Sequence, residues 1–220
     1  MPQVLITGAS DGIGRALVDV YSGWDITATG RRPEVPGLPA TCHYVPADLT
    51  ESFTPVLDAL PPKIDLAILN AGAGKVAAPA DHSADDIGKM IALNSAVPLL
   101  MAQALLPRLE GGTLAFIGST AARGAHADFS VYAATKAALA GAQRSLALEW
   151  DGRVKVLMIH PGPTATGMHD KAGVGDIAAR RFFTKADTVA REIASSIAKG
   201  QSRRFGAAFT LRHAFAGGAQ

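Results

Sequence analysis

Tyr132 and Lys136 stand four positions apart in the stretch Tyr132-Ala133-Ala134-Thr135-Lys136. On a helix that spacing puts both side chains on one face, so the ammonium lies near the phenol oxygen and favours the phenolate. Lowering a free tyrosine's pKa of about 10 to about 7 takes about 4 kcal/mol. A unit charge about 4 Å away, at an effective dielectric near 20, supplies about 4 kcal/mol. The pair therefore predicts a group that gives and takes a proton near neutral pH. Ser119 closes the run Ile117-Gly118-Ser119, 13 positions before Tyr132. At a strand's carboxyl end it offers a hydroxyl to an oxygen on which charge develops. Asn94 is placed to anchor a water that links Lys136 to solvent. Taken singly, each residue has a commoner structural use, as a helix start, a solvated face, a turn or a helix-interrupting polar group. The set carries the chemistry.

A second cluster lies near the amino terminus, in Thr7-Gly8-Ala9-Ser10-Asp11-Gly12-Ile13-Gly14. It joins the apolar run Val4-Leu5-Ile6 to a helix-like pattern at Arg15-Ala16-Leu17-Val18. Such a turn presents unpaired N–H groups and a positive helix terminus, which together bind phosphate. Gly8 permits the tight turn, Gly12 a close approach of ligand to backbone, and Gly14 close packing of helix on strand. Ser10 adds a hydroxyl donor. The spacing is G-x-x-x-G-x-G, not G-x-G-x-x-G.

The elements that must position these residues follow from apolar patterning. Short β-branched runs at 4–6, 25–29, 43–45, 65–69, 113–117 and 154–159 read as strands, and 14–21, 54–60, 84–109, 131–150 and 188–199 read as helices. Their alternation predicts an α/β fold of Rossmann type, a doubly wound parallel sheet in three αβα layers, as a single domain over residues 1–220. The segment 167–184 breaks the rhythm and reads as a substrate lid or a long surface connection.

Composition narrows the partners. A formal net charge of +2 without a basic block argues against nucleic acid or an anionic membrane as partner. The single cysteine, Cys42, excludes an intrachain disulfide and reads as a core thiol of a reducing compartment. His82, His126, His160 and His169 lack metal-ligand spacing, so no metal is expected, and Glu149 reads as a solvated charge. With no basic leader and no uninterrupted apolar run of about 18 residues, the expectation is a cytoplasmic protein.

Asn70-Ala71-Gly72 closes the fourth strand, Asn94 lies in the following helix, and Ser119, Tyr132-x-x-x-Lys136 and Pro161-Gly162 come after it in that order. With the glycine turn, they make the sequence resemble the short-chain dehydrogenase/reductase family, non-extended branch, from residue 4 to about 166. The resemblance implies an oxidoreductase that interconverts a small-molecule carbonyl and an alcohol by hydride transfer. It implies Asn94, Ser119, Tyr132 and Lys136 as the catalytic tetrad, with Tyr132 as acid and base. It implies a pyrophosphate turn at Gly8, Ser10, Gly12, Ile13 and Gly14, adenine contacts at Asp48 and Leu49, and a sheet brace at Asn70 beside Ala71 and Gly72. Pro161, Gly162, Thr166 and Thr164 are implied at the nicotinamide, where Tyr132 and Lys136 also meet the cofactor.

The second strand runs into Gly30-Arg31-Arg32 with no carboxylate before Glu34. In the resembling family that implies NADP(H) over NAD(H), with Arg31 and Arg32 at the 2′-phosphate. A homodimer through the helices 84–109 and 131–150 is implied as well. Three features depart from the family pattern: Asp11 where many NADP-preferring members carry a base, a short 50–62 segment, and 203–220 without a glycine-rich final strand. The last leaves the seventh strand open. The competing reading is a non-catalytic dinucleotide-binding redox sensor on the same fold, which an intact tetrad disfavours.

Overall fold

Apolar residues fill both faces of the central strands, as a sheet covered on two sides requires. The computed structural model describes residues 1–124, 127–167 and 183–205. The strands are β1 (Gln3–Thr7), β2 (Asp25–Gly30), β3 (Cys42–Pro46), β4 (Leu66–Leu69), β5 (Thr113–Ile117), β6 (Lys155–His160), β7 (Thr164–Ala165), β8 (Thr184–Lys185) and β9 (Arg203–Arg204). Seven of them form one parallel sheet in the order β3-β2-β1-β4-β5-β6-β9, and β7 pairs with β8 apart from it. Strand order reverses between β1 and β4, which opens a crevice at their carboxyl ends.

Period-two alternation sorts the core into two layers. Val4, Ile6, Ile68, Ala115, Ile117, Leu157 and Ile159 pack with α1 (Gly12–Val20) and with the last helix, α6 (Ala186–Ala198). Leu5, Ala67, Leu69, Phe116, Val156 and Met158 pack on the other face. That face is covered by α2 (Thr54–Asp58), α4 (Val97–Leu105) and α5 (Ser130–Glu149), with Val56, Met101 and Leu139 as their core residues. The three-layer α/β architecture expected from the sequence is the one observed.

The seventh strand exists. β9 lies in register beside Ile159 and His160, and Phe205 N–H continues the ladder to the His160 carbonyl at 3.0 Å with its ring buried. The sequence concealed it because its two strand residues are exposed arginines and its apolar anchor is the single Phe205.

The helix expected at 84–109 is divided into α3 (Ala84–Ile91), a π turn (Ala92–Ala96), α4, and a 3₁₀ turn (Leu106–Arg108). Pro98 has no N–H to give the Asn94 carbonyl, and Val97 N–H reaches back to the Ala92 carbonyl. By length and composition the stretch Ala84–Arg108 is apolar enough to cross a membrane. Its apolarity is used against the sheet, where Val97, Met101 and Leu105 are buried. Cys42 lies on the edge strand β3 and is only partly buried, not the core thiol expected. Almost all of the segment 167–184, and everything after Phe205, lies outside the described residues.

Candidate active site

The glycine turn and the end of β4 are pressed face to face. A Cβ on Gly14 would meet the Gly8 carbonyl oxygen at 2.1 Å, and one on Gly8 (φ +69°) would meet Ala71 Cα at 2.8 Å. Asn70 Nδ2 donates to the Thr7 and Gly8 carbonyls at 3.0 and 3.4 Å, while Thr7 Oγ1 accepts from Asn70 N and Ala71 N at 2.9 and 3.0 Å. Sequence reasoning found Asn70 but missed Thr7, whose signal is a hydroxyl ending an otherwise apolar buried strand. Gly14 packs on the turn itself and not on the strand.

Asp11 caps α1 by accepting from Gly12 N at 2.7 Å. The N–H groups of Ile13 and Gly14, in the same first turn, have no intrahelical acceptor. In front of them lies a cavity of about 360 Å³. Its lining includes the expected Gly8, Ser10, Gly12, Ile13, Arg31, Asp48, Leu49, Asn70, Ala71, Gly72 and Thr166. Ala47, Ala73, Gly74 and Leu93 also line it and carried no sequence signal.

Besides Tyr132 and Lys136, the expected Gly14, Arg32, Pro161, Gly162 and Thr164 stand off the cavity, while Asp48 lines it. Arg32 is ion-paired with Asp11 at 3.4 Å. Thr164 is buried, with its hydroxyl donated to the Gly162 carbonyl at 2.9 Å, and the Pro161 carbonyl accepts from Thr120 N at 3.0 Å. Asp48 accepts from Thr50 N and Oγ1 at 2.9 and 2.6 Å. Those bonds, with a smaller contribution from Arg31, hold its carboxyl below the usual range.

The four tetrad residues converge beside this cavity. Ser119 is extended at the end of β5, and its Oγ accepts from Ala121 N at 3.1 Å, so its proton is free to turn toward Tyr132, whose phenol it helps to ionise. Tyr132 and Lys136 are both buried on one face of α5. Lys136 Nζ donates to the Ile117 carbonyl at 3.1 Å. Asn94 Oδ1 accepts from Ala73 N at 2.8 Å, and its Nδ2 donates to Ala73 O and Thr135 Oγ1 at 2.8 and 3.1 Å. Thr135 Oγ1 donates in turn to the Tyr132 carbonyl at 2.7 Å. The Asn94 side chain is thus committed to protein partners. Gly72 joins cavity and tetrad: a Cβ there would lie 3.3 Å from Lys136 Nζ and 3.2 Å from Asn94 Oδ1.

The electrostatics differ from the sequence expectation. Burial pushes the Tyr132 phenol above its ordinary value, with the Ser119 bond opposing, and burial pushes Lys136 down to about 8. Burial disfavours the charged form of each, so both groups are driven toward their neutral forms.

A doubly wound sheet with a glycine-lined crevice at its switch point and a buried Ser-Tyr-Lys corner beside it defines a dinucleotide-dependent oxidoreductase class. The chain belongs to the short chain dehydrogenase family, whose model matches residues 2–176. Among its relatives is an uncharacterized oxidoreductase of Escherichia coli, YciK, 29% identical over 77% of this chain and 76% of its own. D-threitol dehydrogenase of Mycolicibacterium smegmatis is 28% identical over 78% of this chain and 73% of its own. A short-chain dehydrogenase from Sphingobium yanoikuyae, solved in complex with NADPH, superposes with a TM-score of 0.80 at 25% identity, covering 100% of this chain and 93% of that one. The protein is an NAD(P)-dependent dehydrogenase or reductase.

Proposed function

We propose that the protein interconverts a small carbonyl compound and its alcohol with NADP(H), Tyr132 giving the proton to the carbonyl oxygen and the phenolate removing it in reverse. The observation that carries this reading is the burial of Tyr132 and Lys136 on one face of α5, with Ser119 beside the phenol and Gly72 joining the corner to the cavity. The residues fit a dinucleotide: a side chain on Gly8 or Gly14 would collide with backbone, and the orphan N–H groups of α1 suit a pyrophosphate. Bound cofactor would supply the hydride in its reduced form and, when oxidised, a positive charge that adds to that of Lys136. Ser119 orients the substrate oxygen, Lys136 holds ribose hydroxyls and steadies the phenolate, and Asn94 fixes the helix that carries Tyr132 through Thr135.

Preference for NADP(H) is supported by a division of labour between two arginines. Arg32 is ion-paired with Asp11, which offsets the one unfavourable carboxylate. Arg31 lines the cavity and makes no ion pair among the described residues, so its guanidinium is available to a 2′-phosphate. A homodimer through the long helices is supported by Leu100 on α4 and Leu148 on α5, which are 51% and 81% exposed. Light scattering at micromolar concentration checks it, and a monomer refutes it.

The reaction is tested by NADPH oxidation across aldehydes, ketones, quinones and 3-oxoacyl thioesters, repeated with Tyr132→Phe. That variant keeps the ring and loses the proton, so turnover falls at least about 10³-fold while NADPH affinity holds. Near-normal turnover on a confirmed substrate refutes the proton assignment.

A further inference from the structure

His160 is the last residue of β6 and a polar side chain in an otherwise apolar run, Val156 to Ile159. It is 8% exposed. Its Nδ1 lies 2.9 Å from the backbone carbonyl oxygen of Ser119. A carbonyl only accepts, so Nδ1 carries the proton and donates. Gly118 makes this contact possible, because a Cβ there would stand 2.6 Å from Nδ1. The same two strand ends are joined by Gly118 N–H to the Ile159 carbonyl at 2.7 Å. Burial pushes the imidazole's pKa down and the Ser119 bond opposes; the cations facing it, Arg123 after β5, Arg204 on β9 and Lys136 on α5, push it down further.

Ser119 is held at two points with different consequences. Its Oγ accepts from Ala121 N, which aims the hydroxyl proton away from that donor and toward Tyr132. The Ala121 N–H stays in place only while the peptide after Ser119 keeps its plane, which three bonds hold: its oxygen accepts from His160 Nδ1 at 2.9 Å and from Ala122 N at 3.1 Å, and its N–H donates to the Pro161 carbonyl at 3.0 Å. His160 is the one side chain among them, and without it the peptide keeps only the bonds of its own 3₁₀ turn and of the Pro161 loop, so Ser119 gains play about ψ and the aim of its hydroxyl loosens.

We propose that His160 is a positioning residue for the reaction: its Nδ1–H bond to the Ser119 carbonyl fixes the direction of the Ser119 hydroxyl toward Tyr132 and the substrate oxygen. The inference rests on the proton chemistry proposed above. The test compares His160→Leu, which removes the donor, with His160→Asn, whose Nδ2 reaches the same place, each in the wild-type and Ser119→Ala backgrounds, with Tyr132→Phe as control and melting curves for all. On a substrate from the carbonyl panel, His160→Leu lowers kcat about tenfold with the KM for NADPH unchanged, and His160→Asn restores most of it. In the Ser119→Ala background His160→Leu costs nothing further in kcat, because it acts through the hydroxyl already removed. Full kcat in His160→Leu, or the same tenfold loss in the absence of the Ser119 hydroxyl, overturns the proposal while leaving Tyr132 as the acid. A Tyr132→Phe variant that stays active overturns both.

Discussion

The glycine turn and the catalytic corner lie beside one another and are built by opposite means. The turn is made by what is missing: Gly8 and Gly14 let the Gly8 carbonyl, Ala71 and the first turn of α1 occupy space a side chain would need. The corner is made by what is present, with Asn94, Tyr132 and Lys136 0%, 8% and 4% exposed and polar at their tips. The packing of the first arrangement is complete in the free protein. The second is not, since Lys136 is held at about 8 by burial alone and Tyr132 is pushed the other way. A binding turn that needs only room contributes to folding, whereas a site that must develop charge carries a cost the fold bears elsewhere.

Substitutions should therefore move stability in opposite directions in the two places. Gly14→Ala drives a methyl into a backbone oxygen at 2.1 Å, and Asn70 Nδ2 at 2.7 Å blocks the alternative. The first is backbone and the second a side-chain amide tied to the Thr7 and Gly8 carbonyls, so neither yields and the loss exceeds the ~3 kcal/mol upper range of ordinary overpacking. Thermal denaturation of the free protein measures it; a melting temperature near wild type would show the turn to be deformable.

Lys136→Met should do the reverse. Below about pH 8 both folded and unfolded chains carry the Lys136 proton and the burial cost is at its full size. Between about 8 and the ordinary value of 10.5 the unfolded chain binds more protons, so wild-type stability rises with pH across that window. The methionine variant is then more stable at pH 7, by about 2 kcal/mol, with a gain that shrinks as pH approaches 10.5, and it is inactive. Denaturant melts at pH 7 and pH 10 decide it, and a destabilised variant at pH 7 would mean that the Ile117 carbonyl bond outweighs desolvation.

Arg31→Asp sharpens the comparison from the cavity side. It should reverse the preference between NADPH and NADH, worth about 1.5–3 kcal/mol for a charge-assisted bond, and leave kcat with the preferred cofactor within a few-fold. Cofactor titration checks it, and unchanged affinities would remove Arg31 from the phosphate.

What could be read from the sequence follows the same division. Gly8, Gly12 and Gly14 announce themselves because few arrangements other than a tight turn use three glycines between strand and helix. Tyr132 and Lys136 were legible by helical spacing. Thr7, Thr135 and His160 were not, because the partners that give them their roles are brought near by topology: the amide of Asn70 for Thr7, the Asn94 side chain for Thr135, and the Ser119 carbonyl, 41 residues away, for His160. The seventh strand was hidden by its arginines, and the inward turn of Asn94 depends on a π turn that periodicity at 3.6 residues does not reveal.

The smallest effect concerns the phenol itself. The chain has three tyrosines. Burial pushes Tyr21 up to about 12, and Tyr44 and Tyr132 are also raised chiefly by burial. An ultraviolet titration of the cofactor-free protein should therefore show no tyrosine ionising below about 10. A Tyr132 proton retained above that value by the folded chain also makes stability fall as pH rises past it, the opposite sign to Lys136. With saturating NADP⁺, one tyrosine should ionise at least about one pH unit earlier, because a positive charge then stands near a phenolate already offered the Ser119 hydrogen bond. The early step should vanish in Tyr132→Phe and weaken in Lys136→Met, and alcohol oxidation should rise over the same pH range. A tyrosine ionising near neutrality in the free protein would mean that Lys136 suffices by itself, and the contrast between a finished turn and an unfinished corner would fail.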